Sequence, residues 1–251
     1  MIKLVSINLT LGKGTTLERH VLKDLSIHIA DGEFVVLIGG NGAGKSTLFS
    51  LISGYRLSDS GAIWIDDQEV TKIPQHKRAA FVSEVMQDPK VGTMAHMTIE
   101  ENLSFALMRG KRRGLTLHDC VKRRAFFREK LARLDMRLED RMHELVGNLS
   151  GGQRQALALI MAIVGGSKIL MLDEITAALD PKTAANVMRI AADVIREEGR
   201  TTLMITHNMA DAIHYGTRTI LLTNGQIGKC YNQDEKAQLT PALLINEFSM
   251  F

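Results

Sequence analysis

An uninterrupted apolar run at residues 34–38 (FVVLI) stops at the glycine-rich stretch GGNGAGKST, and the apolar residues Leu48, Phe49, Leu51 and Ile52 follow at once. This is the feature that most restricts the fold. A short run with no polar alternation suits a strand buried on both faces, as parallel strands are. The next segment reads as a tight loop entering a helix, the context that the G-x-x-x-x-G-K-[ST] pattern requires. In that context Gly39, Gly40, Asn41, Gly42, Ala43 and Gly44 turn backbone N–H groups inward around phosphates. The helix N-terminus adds its partial positive charge. Lys45 is expected to reach the terminal phosphates. The Ser46 hydroxyl, with Thr47 beside it, is expected to complete a Mg²⁺ shell.

Two further strand ends carry chemistry. Residues 167–172 (SKILML) read as a second buried strand ending in Asp173-Glu174. Acids at the carboxyl end of such a strand project into the crevice where α/β sheets bind ligands. Asp173 is expected to hold Mg²⁺ through water, and Glu174 to polarise a water attacking the γ-phosphate. Taken alone, an acidic pair there is usually a helix cap; the preceding phosphate loop changes that reading. Pro181, after Ala178-Leu179-Asp180, suits the first turn of another helix. A third strand at 201–206 (TTLMIT) ends in His207-Asn208 and is expected beside the Asp173 strand. A neutral imidazole there reports whether the γ-phosphate is present. Gln87, following a strand at 80–85, is a candidate for the same task, against the plainer reading of a surface loop residue.

With these residues in hand, the chain resembles the ATP-binding cassette family along residues 1–228. GGNGAGKST resembles Walker A, Gln87 in VMQDP the Q-loop, LSGGQRQ (149–155) the family signature, and ILMLDE Walker B with its catalytic Glu174. Ala178-Leu179-Asp180 resembles the D-loop, and ITHN supplies the switch His207. The resemblance implies an α/β fold: a P-loop NTPase (RecA-like) core with an N-terminal antiparallel β subdomain and an inserted α-helical lobe. It implies ATP and Mg²⁺ as cofactors. Ser46, Gln87 and Asp173 become the metal-side residues, and Ser150, Gly151, Gly152, Gln153 and Asp180 nucleotide contacts made across a pair. Ser150 opens a strongly apolar helix, and a serine-capped helix N-terminus is itself an anion site. On a separate lobe it cannot reach its own phosphate loop; a two-fold, head-to-tail pair of chains puts each signature over the other's ATP.

The implied organisation is a core of residues 1–86 and 161–228, a helical lobe at 88–160 and a tail at 229–251. Asn224-Gly225 between apolar runs reads as a hairpin turn. Cys120 and Cys230 lack metal-ligand spacing, so reduced thiols are expected. No signal-peptide pattern opens the chain. The longest apolar stretch, 156–164, is about half of what a bilayer-spanning helix needs, so a peripheral place at the cytoplasmic face of the inner membrane is expected. Residues 109–137 hold eleven Lys/Arg against three Asp/Glu, either a solvated helix face laced with salt bridges or a contact with the negative leaflet. Aromatic residues are only 5% and no base-stacking platform is visible, so no nucleic-acid partner is expected.

The chain departs from the family in two places. The aromatic residue that usually stacks on adenine is replaced by Leu11, which leaves apolar contact or His20 to recognise the base. After Glu174 stand Ile175, Thr176 and Ala177 in place of Pro-Thr-Ser, with the acid and the D-loop kept. The expected partners are a second copy of the chain, transmembrane permease subunits and, indirectly, a substrate-binding protein. The expected role is the ATPase of an importer of amino-acid-type solutes. An exporter or membrane-linked mechanical ATPase is the alternative, and a soluble protein of translation or DNA repair the third reading. The stretch 87–97 (QDPKVGTMAHM) is expected to form the docking groove for a permease helix. The apolar tail end, Phe248, Met250 and Phe251, is expected to pack on the chain's own core.

Overall fold

The computed structural model describes residues 1–111 and 120–249. Strands β1 (Ile2–Leu11), β2 (Arg19–Ile29) and β3 (Phe34–Gly39) lead into helix α1 (Lys45–Ser53). Then come β4 (Ser60–Ile65), the two-residue β5 (Gln68–Glu69), α2 (Gln75–Arg78) and β6 (Val82–Val85). A helical stretch holds α3 (Pro89–Gly92), α4 (Ile99–Leu107), α5 (Cys120–Ala132) and α6 (Gly151–Val164). Alternation resumes with β7 (Ile169–Asp173), α7 (Pro181–Glu198), β8 (Thr201–Ile205), α8 (Met209–His214), β9 (Arg218–Thr223) and β10 (Gln226–Tyr231). Helices α9 (Gln233–Ala237) and α10 (Pro241–Ser249) follow.

Two sheets result. One is antiparallel, in the order β2-β1-β4-β5; the other runs β10-β9-β3-β8-β7-β6. In the second, β3 lies between β8 and β9 and all three are parallel, as are the β8–β7 and β7–β6 pairs; only the edge strand β10 is antiparallel. The expected α/β architecture is therefore present. The β9–β10 connection is a two-residue hairpin at Asn224-Gly225, both with positive φ (49° and 81°), as a type I′ turn demands.

The period of two in β3 divides the core. Val35 and Leu37 join the apolar cluster beneath β1, β2 and β4 together with α1, whereas Phe34, Val36 and Ile38 join the cluster formed with α4, α6 and α7. All six residues of β3 are buried, which is why its sequence is an unbroken apolar run. Helix α6 runs unbroken from Gly151 to Val164, and its buried apolar residues all belong to the second of these clusters.

Two buried cations fasten helix ends. Arg78, fully buried, donates to the carbonyls of Leu51, Ile52, Thr71 and Ile73 and so closes the C-terminal end of α1. Burial lowers its pKa to about 10. Lys236 on α9 donates to the Tyr215 and Gly216 carbonyls past the end of α8, and burial lowers its pKa to about 8. Residues 229–251, expected as a plain tail, thus begin as the end of β10 and continue as helices tied to α8. Phe248's side chain, Met250 and Phe251 lie outside the described residues.

Part of the basic segment 109–137 is paired with acids inside the protein. Arg124 Nε lies 2.9 Å from both Glu100 carboxylate oxygens, Lys130 2.9 Å from Glu198 and Arg133 3.0 Å from Glu197. These ion pairs account for part of the segment's charge; residues 112–119 of it lie outside the described residues.

Candidate active site

Three adjacent strands, β3, β8 and β7, end at one rim of the parallel sheet. They deliver the glycine loop, His207 and the Asp173-Glu174 pair. Asp173 pairs in register with Ile205, so the expected adjacency of the two strands holds. Gly39 closes β3 against β9: a Cβ there would stand 2.4 Å from the Leu222 carbonyl oxygen. Gly44 is the N-cap of α1 at φ 107°, a conformation closed to other residues at low cost, and no side chain caps the helix. The first-turn N–H groups of α1 are therefore left for an external acceptor.

A cavity of about 370 Å³ opens over this loop. Asn41, Gly42, Gly44, Lys45, Ser46 and Thr47 line its phosphate end, and Glu174 and His207 face it. Lys45 is buried, and its Nζ donates to the Gly39 and Gly40 carbonyls at 2.7 and 3.1 Å. Burial lowers its pKa, while the nearby Glu174 and Asp173 charges act the other way. Burial also raises the Asp173 carboxyl, helped by Glu174 and opposed by Lys45 and His207. His207 Nε2 lies 2.7 Å from Glu174 Oε1. A second cleft of about 490 Å³ lies beyond these two residues, bordered by Thr176, Leu179, Met188 and Asp211. Glu174 and His207 thus stand between the phosphate loop and the start of α7.

The donor set fits a nucleotide with its metal. Backbone donors at an uncapped helix start and a buried ammonium suit an anion. Among the described residues no cluster of three His, Cys, Asp or Glu side chains is poised to hold a metal by itself. One carboxylate (Asp173) and one hydroxyl (Ser46) suit Mg²⁺, which keeps waters and takes substrate phosphates as its remaining ligands.

Other expected site residues lie apart. Gln87 is exposed, two residues beyond Val85, which pairs with Leu172; it does not line the cavity. Ser150 caps α6 in a reciprocal capping box, accepting from Gln153 N at 3.3 Å while Gln153 Oε1 accepts from Ser150 N at 3.1 Å. Neither these two nor Gly151 and Gly152 line the cavity. Asp180 caps α7, accepting from Thr183 N at 3.1 Å. His20 is exposed and outside the cavity lining: Arg19 and Val21 line it, and strand alternation turns the residue between them away.

Four residues have roles that the sequence reading did not give them. Arg19 lines the cavity, and its Nη2 donates to the Gly42 carbonyl at 3.1 Å. Glu84, on β6, has its pKa pushed up to about 7 by burial, with the Asp173 charge second. Gln155, 1% exposed, donates from Nε2 to the Met86 carbonyl at 3.1 Å, and its neighbour Arg154 donates to Thr93 Oγ1. The two join α6 to the segment around Gln87. A lone Arg, Glu or Gln gives no periodic signal; these roles exist only once the elements are packed.

Comparison with known proteins agrees with this geometry. Residues 22–177 match the family model described as ABC transporter. The chain belongs to the ABC transporter family. It is 43% identical to the tyrosine transport ATP-binding protein of Clostridioides difficile, across 91% of this chain and 90% of that one. It is 33% identical to the thiamine import ATP-binding protein of Photorhabdus laumondii, across 83% of each. A dimeric ATP-binding cassette in a post-hydrolysis state, bound to ADP and Pi, superposes with a TM-score of 0.79 at 26% identity, covering 93% of this chain and 99% of that one. This member of the ABC family is an ATP-binding chain and an ATPase.

Proposed function

We propose that the chain is the ATP-hydrolysing subunit of a membrane importer for a small solute of the amino-acid type. The observation that carries this reading is the convergence of Lys45, Glu174 and His207 on one cavity, while the signature helix α6 presents its capped start elsewhere on the same chain. A site so divided is completed by a second copy in two-fold arrangement. The name of the C. difficile relative supports the amino-acid-type cargo; importer names recur among the thiamine and spermidine/putrescine relatives.

In the proposed cycle Lys45 and the N–H groups of the glycine loop hold the phosphates. Ser46 and Asp173 would hold Mg²⁺, which neutralises charge developing on the phosphates when bound. Glu174 accepts a proton from the attacking water and aligns it. His207, within 2.7 Å of Glu174, orients that carboxylate and senses the γ-phosphate. Ser150, Gly151, Gly152 and Gln153 of the second copy, with its Asp180, close the site. Gln87 links phosphate loss to tilting of the helical region through the Met86–Gln155 hydrogen bond.

Permease subunits dock on that region in this reading. A groove of about 320 Å³, lined by Met97, Glu101, Ser104, Phe105 and Met108, is almost wholly apolar at its surface. In the same reading the chain sits peripherally on the cytoplasmic face, served indirectly by a substrate-binding protein; among the described residues no helix is long and apolar enough to cross a membrane.

Glu174→Gln tests the central claim. The amide keeps the shape of the carboxylate but takes no proton, so hydrolysis falls by roughly 10²-fold or more while ATP binding persists. The variant with ATP and Mg²⁺ elutes from size exclusion as a stable pair. A monomer under those conditions, or turnover at the wild-type rate, overturns the role of Glu174.

A further inference from the structure

The outer end of the cavity is built without an aromatic ring. Its side chains there are Leu11, Leu17, Arg19 and Val21. Leu11 ends β1 and faces Arg19, the first residue of β2, in the strand register. Leu17 lies in the hairpin between them and is 82% exposed, an apolar side chain with no core to enter. Arg19 lies against the phosphate loop itself. Its Nη2 donates to the Gly42 carbonyl at 3.1 Å, and a Cβ at Gly42 would stand 3.0 Å from Nη2 and 3.3 Å from Nη1. Gly42, at φ 78°, leaves the space that the guanidinium occupies. Glu18, the acid next along the chain, is turned away and accepts from Gly14 N at 2.8 Å.

A guanidinium is planar, weakly hydrated and stacks on π systems. Held by one hydrogen bond beside the loop, Arg19 is the planar side chain among those that line this end of the cavity. We propose that Arg19 stacks on the base of the bound nucleotide, with Leu11 and Leu17 adding apolar contact beside it, and that the chain accepts adenine and guanine nucleoside triphosphates nearly alike. The inference rests on the nucleotide-binding reading of the cavity and adds what holds the base. Stacking and apolar contact engage a face that every base has. Strong discrimination needs hydrogen-bonding groups aimed at the base edge, because only these are left unpaired by the wrong base. Leu11, Leu17 and Val21 have none, and Arg19 can only donate.

The experiment is calorimetric titration of the full chain with ATP, GTP and inorganic triphosphate. Wild type is expected to bind ATP and GTP within roughly threefold of each other, since stacking varies little with the base. Arg19→Ala is expected to weaken both nucleotides by roughly five- to tenfold, the size of a partly desolvated cation–π contact, and to leave triphosphate unchanged. Arg19→Lys, which keeps charge but not the plane, is expected to resemble Arg19→Ala. Leu11→Tyr in the Arg19→Ala background restores binding by supplying a ring. Arg19 is exposed, so loss of fold is not expected, and circular dichroism checks it. Equal weakening of triphosphate makes Arg19 a phosphate ligand and overturns the proposal, as does unchanged nucleotide binding by Arg19→Ala, or a preference for ATP over GTP beyond tenfold. A wild-type chain that binds triphosphate and nucleotides not at all overturns the reading of the cavity itself.

Discussion

Glu174 sits at φ 48°, in the left-handed region that costs a residue with a Cβ on the order of 1 kcal/mol. Its N–H still donates to the Ile205 carbonyl at 3.0 Å, so the β7–β8 ladder runs one step past Asp173 before the chain turns. That turn separates the directions of two consecutive carboxylates and gives them different tasks. A third acid nearby has a testable signature. Glu84 ionises at 4.5 in an ordinary setting and at about 7 here. Below the lower value both folded and unfolded chains hold the proton. Between the two, only the unfolded chain releases it, so stability falls as pH rises, and above the upper value the penalty is complete. Glu84→Gln removes the penalty. Urea denaturation of the nucleotide-free chain is expected to show the variant gaining on wild type from about pH 5 to about pH 8, by at most about 3 kcal/mol. A difference that does not change with pH would mean that Glu84 is not buried as described.

At the scale of elements, the start of α6 is constrained from inside the chain as well as by its proposed role toward a partner. Gly152 is buried, and a Cβ on it would stand 2.2 Å from Thr183 Cγ2 in the first turn of α7. The signature helix and the helix after Asp180 therefore meet at a point where only glycine fits. Thr183 is β-branched and stiff about χ1, so it yields poorly. Gly152→Ala is expected to destabilise the isolated chain by about 1–3 kcal/mol, the usual range for overpacking, and Thr183→Ser is expected to recover much of that loss. Thermal unfolding of the single and double variants measures it; additive effects would sink the contact. The other side of α6 is fixed by Arg154 and Gln155 to Thr93 and Met86, so any movement of the loop after β6 is felt by the signature.

For the whole molecule, the parallel sheet sets the phosphate loop and the two acids, and the helical region sets the proposed docking groove some way from them. Met97 belongs to both the loop after Gln87 and the groove against α4. Met97→Glu is expected to keep basal ATP hydrolysis within about twofold, because surface substitutions away from a site are nearly neutral. It is also expected to prevent co-purification with the permease and to abolish transport, because a charge is placed in a desolvated contact. ATPase activity and transport in reconstituted vesicles separate these outcomes. Survival of both assembly and transport would place the docking surface elsewhere.

Much of this molecule was legible along the chain. Phe34–Gly39 had to be a doubly buried strand because nothing in it tolerates water, and the loop after it had to be glycine because of positive φ at Gly42 and Gly44. Asp173 and His207 were readable as strand-end residues, and Asn224-Gly225 as a turn, since each is a local pattern with a local cause. Ser150 was readable as a cap for the same reason. Which side chains line the outer end of the cavity was not. His20 was the residue expected from sequence, and only the register Leu11↔Arg19, with alternation along β2, turned Arg19 into the cavity and His20 out. The raised pKa of Glu84, the Gly152–Thr183 contact and the links from α6 to the loop after β6 likewise join residues far apart in sequence. Short-range pattern records backbone geometry and burial, which neighbouring residues fix. Which side chains then face one another depends on how whole elements pack, and that information belongs to no single stretch of chain.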